Sequence, residues 1–161
     1  MVGKALYSSK SGRWETPAAL FKKIDAEFHF TLDVCAEPHN KKCRRFFSPK
    51  QNGLRRSWAG ETAWCNPPYG RGVRRWLAKA VAESEQGATT VMLLPVRTDT
   101  EAFQKYAMHH AQELRFIKGR VPFVRPPAQK QKPGTKRKRT SRKRATIAPF
   151  PSVLVVFRGR P

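Results

Sequence analysis

The stretch Ala63-Trp64-Cys65-Asn66-Pro67-Pro68-Tyr69-Gly70 places the tightest limit on how this chain folds. An apolar run of strand length stops there at two prolines. Proline fixes its own φ and has no N–H for a sheet ladder, and Pro68 pushes Pro67 toward extended backbone, so the strand ends at Asn66 and a stiff loop follows. Such a loop presents the Asn66 side-chain carbonyl and the Pro67 backbone carbonyl toward one point, two acceptors matched to the two hydrogens of an amino group. Tyr69 adds a flat face beside them. The stretch reads as a site for a planar substrate carrying an exocyclic NH2, and the plainer alternative is a Pro-Pro turn that only closes a strand.

The flanking chain alternates helical and strand patterns. Thr16 as N-cap and Pro17 as first helical residue precede Leu20, Phe21, Ile24 and Phe28 at helical spacing, which predicts a helix over 17–28. Residues 30–35 read as a strand whose tip carries an acid, Asp33. Residues 41–47 read as a short helix and 48–53 as a dense turn, while 54–58 fit neither pattern. Val73, Trp76, Leu77, Ala80 and Val81 form a helical stripe ending near Gly87. The continuous apolar run at 89–95 is the pattern of a strand buried on both faces of a parallel sheet. A helix at 102–110 and strands at 114–117, 121–124 and 153–157 complete an α/β layered fold. The expected organisation is a flexible tail at 1–13 and a single domain at 14–161.

Charge narrows the partners. Lys and Arg number 33 against 11 Asp and Glu, a formal net charge of +22 that points to a polyanion. Ten of those charges fall between Arg125 and Arg144 with no acid among them, leaving +12 elsewhere. A like-charge block of this density cannot pack on itself, so 125–149 is expected to be a basic, mobile insertion between the last two strands. Neither a long apolar run nor a lipid-anchor motif points to a membrane, and residues 1–10 lack the apolar core of a signal peptide. Three cysteines argue against a disulfide framework and for a reducing, cytoplasmic setting. Cys35, His39 and Cys43 recur at intervals of four but lack paired C-x2-C knuckles, and no metal site is expected.

Several motifs, in this order, resemble the small phage-type DNA N6-adenine methyltransferases: Trp14-Glu15-Thr16-Pro17, Leu32-Asp33-Val34-Cys35-Ala36, Asn52-Gly53-Leu54, the 64–70 stretch, Leu93-Leu94-Pro95-Val96-Arg97-Thr98-Asp99, Gly119-Arg120 and Pro149-Phe150-Pro151-Ser152. The resemblance implies a Rossmann-like methyltransferase sheet, mostly parallel, with a C-terminal antiparallel hairpin. It implies S-adenosyl-L-methionine (AdoMet) as cofactor and double-stranded DNA as partner of a monomer in a bacterial or phage-infected cell. Asn66, Pro67, Pro68 and Tyr69 become the catalytic loop. Trp14, Thr16 and Pro17 lie where such enzymes hold the methionine end of AdoMet, Asp33 where an acid approaches its amine, and Asn52 near its adenine. The usual glycine signature of the first turn is absent, so Ala36 is expected to take the place of the close-approach glycine and Glu37 to meet the ribose.

The DNA contacts expected are Arg97, Arg120, Lys136, Arg137, Lys138, Arg139, Arg142, Lys143 and Arg144. Arg97 and Asp99 follow a strand end on the edge where α/β sheets bind ligands. Little chain is left for a separate target-reading domain, so relaxed or short sequence preference is expected. The tetrapeptide also occurs in enzymes acting on RNA bases and on a protein glutamine, and a basic nucleic-acid-binding module without catalysis is the non-enzyme alternative.

Overall fold

The computed structural model describes residues 14–124 and 145–159. The apolar run at 89–95 is the strand around which its sheet is built. Strands β1 (Leu32–Asp33), β2 (Arg45–Phe46), β3 (Thr62–Cys65), β4 (Thr89–Pro95), β5 (Glu113–Phe116) and β8 (Ser152–Phe157) form one six-stranded sheet in the order β2-β1-β3-β4-β8-β5. β2, β1, β3 and β4 pair in parallel, and β8 runs antiparallel between β4 and β5. The chain is thus an α/β protein, as its alternating pattern predicts, with the mostly parallel sheet and antiparallel C-terminal part that the family resemblance implies.

Side-chain alternation along the strands divides the core between the two faces of the sheet. Trp64, Val91, Leu93, Leu154 and Val156 pack with Ile24 and Phe28 of helix α1 (Ala18–Phe28). Ala63, Cys65, Met92, Leu94, Val153 and Val155 face the other way, onto Leu77 and Ala80 of helix α2 (Val73–Ser84) and onto Phe103 and Ala107. Both faces of β4 are therefore covered, which is why its sequence does not alternate with polar residues. Residues Phe103–Met108, expected as α-helix, are wound as a wider π-helical segment.

Four local expectations change. Residues 41–47 are not helical: Arg45 and Phe46 pair with Leu32 and Asp33, because ladder bonds to β1 outweigh a weak local preference. Thr16 does not cap α1. Pro17 takes the N-cap position at φ −59° and ψ 137° with no side-chain cap bond, and the Thr16 hydroxyl turns elsewhere. The strand at 121–124 pairs not with 153–157 but with β7 (Ala145–Ile147), giving β6 (Pro122–Val124) a separate antiparallel hairpin. Residues 145–149 of the expected insertion accordingly include a strand and the buried Ala148. Residues 125–144, with Lys136, Arg137, Lys138, Arg139, Arg142, Lys143 and Arg144, lie outside the described residues, as does the expected tail at 1–13. Among the described residues no helix is long and apolar enough to cross a membrane.

Candidate active site

Because β1, β2 and β3 are parallel, the loops that follow them leave from one edge of the sheet, and α/β sheets bind ligands at that edge. A cleft of about 250 Å³ opens there. One wall is the segment Trp14, Glu15 and Thr16, which precedes α1. Residues 33–37 with His39, Asn40 and Lys42 form the wall after β1, and Asn52 and Gly53 the wall after β2. Asn66, Pro67 and Pro68 close it after β3. The expected residues Trp14, Thr16, Asp33, Ala36, Glu37, Asn52, Asn66, Pro67 and Pro68 therefore share one cavity.

Asn66 is the best-defined group in it. Its Nδ2 donates to the Trp14 carbonyl at 2.5 Å and to Thr16 Oγ1 at 3.0 Å. A backbone carbonyl can only accept, so the amide nitrogen must face Trp14 and the oxygen must face away. That oxygen, Oδ1, is buried and has no hydrogen-bond partner among the described residues. An orphaned acceptor costs about 1–3 kcal/mol, a cost that folded proteins rarely bear without a ligand or a water to meet it.

Asp33, 2% exposed, works at the opposite wall. Its Oδ1 accepts from the Cys35 N–H at 3.2 Å and its Oδ2 from the Lys42 N–H at 2.9 Å, so one carboxylate gathers the whole loop after β1. Burial pushes its pKa up to about 6, against the pull of those two bonds and of the Lys42 charge. Asn52, at φ 55°, starts a 3-10 turn (Gly53–Arg55). A Cβ on Gly53 would fall 2.0 Å from the Val34 carbonyl oxygen and 3.3 Å from Trp76. Only a residue without a Cβ lets the turn after β2 come this close to Val34 of the wall after β1. Trp58 holds Gly53 there, donating its Nε1–H to the Gly53 carbonyl at 2.9 Å while its backbone N–H bonds Glu83 of α2 at 2.6 Å.

Pro17 and Tyr69 do not line the cleft. The Pro17 carbonyl accepts from the Phe21 N–H in the first turn of α1. The Tyr69 hydroxyl donates to the Leu93 carbonyl at 3.2 Å, and its ring meets Phe150 and Phe123 edge-on at 5.6 and 6.1 Å. Burial raises the Tyr69 hydroxyl well above its ordinary pKa, so it stays protonated. Arg97 follows β4 and Arg120 follows β5, and neither lines the cleft; Asp99 and Arg120 are exposed.

Sequence reasoning missed Glu15, His39 and Trp76 as cleft residues. Glu15 is 8% exposed, and its Oε1 lies 3.1 Å from His39 Nε2. Glu37 Oε2 lies 3.7 Å from the other ring nitrogen. The signal for Glu15 was an acid inside the Trp14-Glu15-Thr16-Pro17 motif. Trp76 stacks on Trp58 at 6.2 Å and was indistinguishable from core on its helical stripe.

The family model described as DNA N-6-adenine-methyltransferase (Dam) matches residues 4–148. A curated DNA N-6-adenine-methyltransferase of Haemophilus phage HP1 (strain HP1c1) is 36% identical over 115 residues, covering 69% of this chain and 65% of that protein. Another, from Escherichia phage T1, is 32% identical over 106 residues, covering 65% of this chain and 44% of its own length. The matched stretch thus spans less than two thirds of either relative.

Proposed function

This chain belongs to the DNA N-6-adenine-methyltransferase (Dam) family, and from that premise we propose that it transfers a methyl group from AdoMet to the exocyclic amino group of adenine in double-stranded DNA. The observation that carries this reading is the Asn66 carbonyl oxygen, buried, unpartnered and held in one orientation at the end of β3. It is an acceptor waiting for a donor. The cleft suits AdoMet: the carboxylates of Asp33 and Glu15 offer opposite charge to an ammonium, and Gly53 lets the wall after β2 come close.

Bound AdoMet supplies an electrophilic methyl on its sulfonium. Trp14, the backbone of Thr16 and Pro17 would sit by its methionine end, with the first-turn N–H groups of α1 available to the carboxylate. Asp33 would face the amine, Ala36 would take the place of the close-approach glycine, Glu37 would meet the ribose and Asn52 would lie near the adenine. Asn66 Oδ1 and the Pro67 carbonyl take the two hydrogens of the acceptor amino group. Holding both favours a more tetrahedral nitrogen with its lone pair freed from the ring, and correct placement then supplies much of the rate. Tyr69, beside Pro68, is the ring on which an extruded base would stack, a step costing a few kcal/mol that the pocket must offset. Arg97, Arg120 and the basic residues between 136 and 144 would hold phosphates. Relaxed or short sequence preference, a monomer and a cytoplasmic setting in a bacterial or phage-infected bacterial cell belong to the same reading.

Methyl incorporation from labelled AdoMet, measured separately on duplex DNA, RNA and protein, tests it. Duplex DNA is the expected acceptor, with the label on adenine N6. Asn66→Ala is expected to lower turnover by about a hundredfold or more with AdoMet affinity little changed. Turnover retained in that variant would remove Asn66 from the reaction.

A further inference from the structure

We propose that Thr16 is a positioning residue for the reaction, setting the plane of the Asn66 amide and through it the direction of the acceptor Oδ1. This rests on the methyltransferase reading of the site, which gives Oδ1 its donor. The resemblance assigns Thr16 to the cofactor, yet its hydroxyl oxygen is engaged by the Asn66 side chain at 3.0 Å, and Thr16 itself is 3% exposed.

The terminal torsion of asparagine is broad, so a buried amide does not hold its plane unaided. One hydrogen bond, from Nδ2 to the Trp14 carbonyl, fixes which end of the amide is nitrogen but leaves rotation about that N–H direction. A second bond fixes the plane. Thr16 Oγ1 supplies it, and with both Nδ2 hydrogens then taken, Asn66 has no donor left to set against an amino group. Asn66 accordingly presents acceptor character only. The same two bonds tie the loop after β3 to the segment before α1, across 50 and 52 residues of chain. That segment is itself held by the Glu15–Val124 backbone pair at 3.0 and 3.1 Å and by the Trp14 ring against Phe123 and Phe150. Thr16 thus brings a rigid support to the soft terminal torsion of Asn66.

Thr16→Val keeps the shape and removes the acceptor, whereas Thr16→Ser keeps the acceptor. Thr16→Val is expected to lower kcat by up to about a hundredfold, as small misplacements of a reacting group do, with KM for DNA and the Kd for AdoMet little changed. Thr16→Ser is expected to recover most of that loss. A direct readout in the protein without DNA accompanies the kinetics: both Asn66 Nδ2 hydrogens, assigned in 15N spectra by their disappearance in Asn66→Asp, should exchange slowly in the wild type, and one should become fast in Thr16→Val. Unchanged kcat in Thr16→Val, a fall matched by lost AdoMet affinity, failure of Thr16→Ser to recover activity, or fast exchange of both hydrogens in the wild type would each overturn the assignment. Should Thr16→Val not fold, Thr16→Ala carries the same measurements. A wild type that methylates no substrate would sink the methyltransferase reading, while the exchange experiment would still decide whether Thr16 holds the amide.

Discussion

Tyr69 is held by its hydroxyl as well as by its ring. The sequence reading treats it as a flat face, but the bond to the Leu93 carbonyl gives the hydroxyl a task of its own. Tyr69→Phe is expected to cost about 1 kcal/mol in denaturant unfolding, and Tyr69→Ala about 3–5 kcal/mol from the lost ring. Equal stability of wild type and Tyr69→Phe would return the residue to a stacking role alone. Asp33 carries a pH signature. Its folded pKa of about 6 lies above the ordinary value of 3.8, so its contribution to stability is full below that ordinary value and is lost as pH rises through about 6. Cofactor binding runs the other way, because an ammonium favours the ionised carboxylate. AdoMet affinity, followed by calorimetry from pH 7.5 down to 5, should weaken below about pH 6 by up to about tenfold per unit, and Asp33→Ala should flatten that profile. A flat wild-type profile would leave Asp33 to its loop, where it bonds the Cys35 and Lys42 N–H groups.

Among the elements, the turn after β2 is the least tolerant. Gly53 sits where a Cβ would meet backbone, at 2.0 Å from the Val34 oxygen, and neither wall can yield without moving β1 or the Trp58 anchor. Gly53→Ala is expected to cost about 3 kcal/mol or more and to weaken AdoMet binding with it, since Asn52 shares the turn. Thermal unfolding identical to the wild type would refute the close approach. The periodic elements were plain in the sequence: α1 from Leu20, Phe21, Ile24 and Phe28, α2 from its stripe, and β4 from its unbroken apolar run. β2 was not, because Arg45 and Phe46 become a strand only by pairing with Leu32 and Asp33. β7 was hidden likewise, its three residues following a dense run of charge.

Across the whole molecule, charge and topology meet at the β6–β7 hairpin. Val124 and Ala145 are register partners, so the two positions that flank residues 125–144 are adjacent. A short Gly-containing turn in their place should close the hairpin and leave unfolding temperature and AdoMet affinity unchanged. Those residues carry ten positive charges. If half of them meet phosphates, counterion release contributes about −4 to −5 to the slope of log affinity against log salt. Excision should flatten that slope, and residual methylation should keep adenine as its target, because phosphate contacts position and do not specify. Fluorescence anisotropy on one duplex over a salt series measures it, and an unchanged slope would move DNA binding to the +12 of the remaining chain.

The strand that stops at Asn66, the helix stripes, the acid at the tip of β1 and the excess of positive charge were all legible in the chain, because each depends on neighbours within a few residues or on composition. Folding supplied what depends on distant partners. Nothing near Asn66 in sequence says that Trp14 and Thr16 will take both its amide hydrogens and leave Oδ1 bare. Nothing near Gly53 says that Val34 will lie against it. Nor does the segment around Glu15 show that its carboxylate will meet His39 in the cleft. Proline, periodicity and charge act locally, whereas an acceptor's orientation and a wall's closeness are properties of which strands become neighbours.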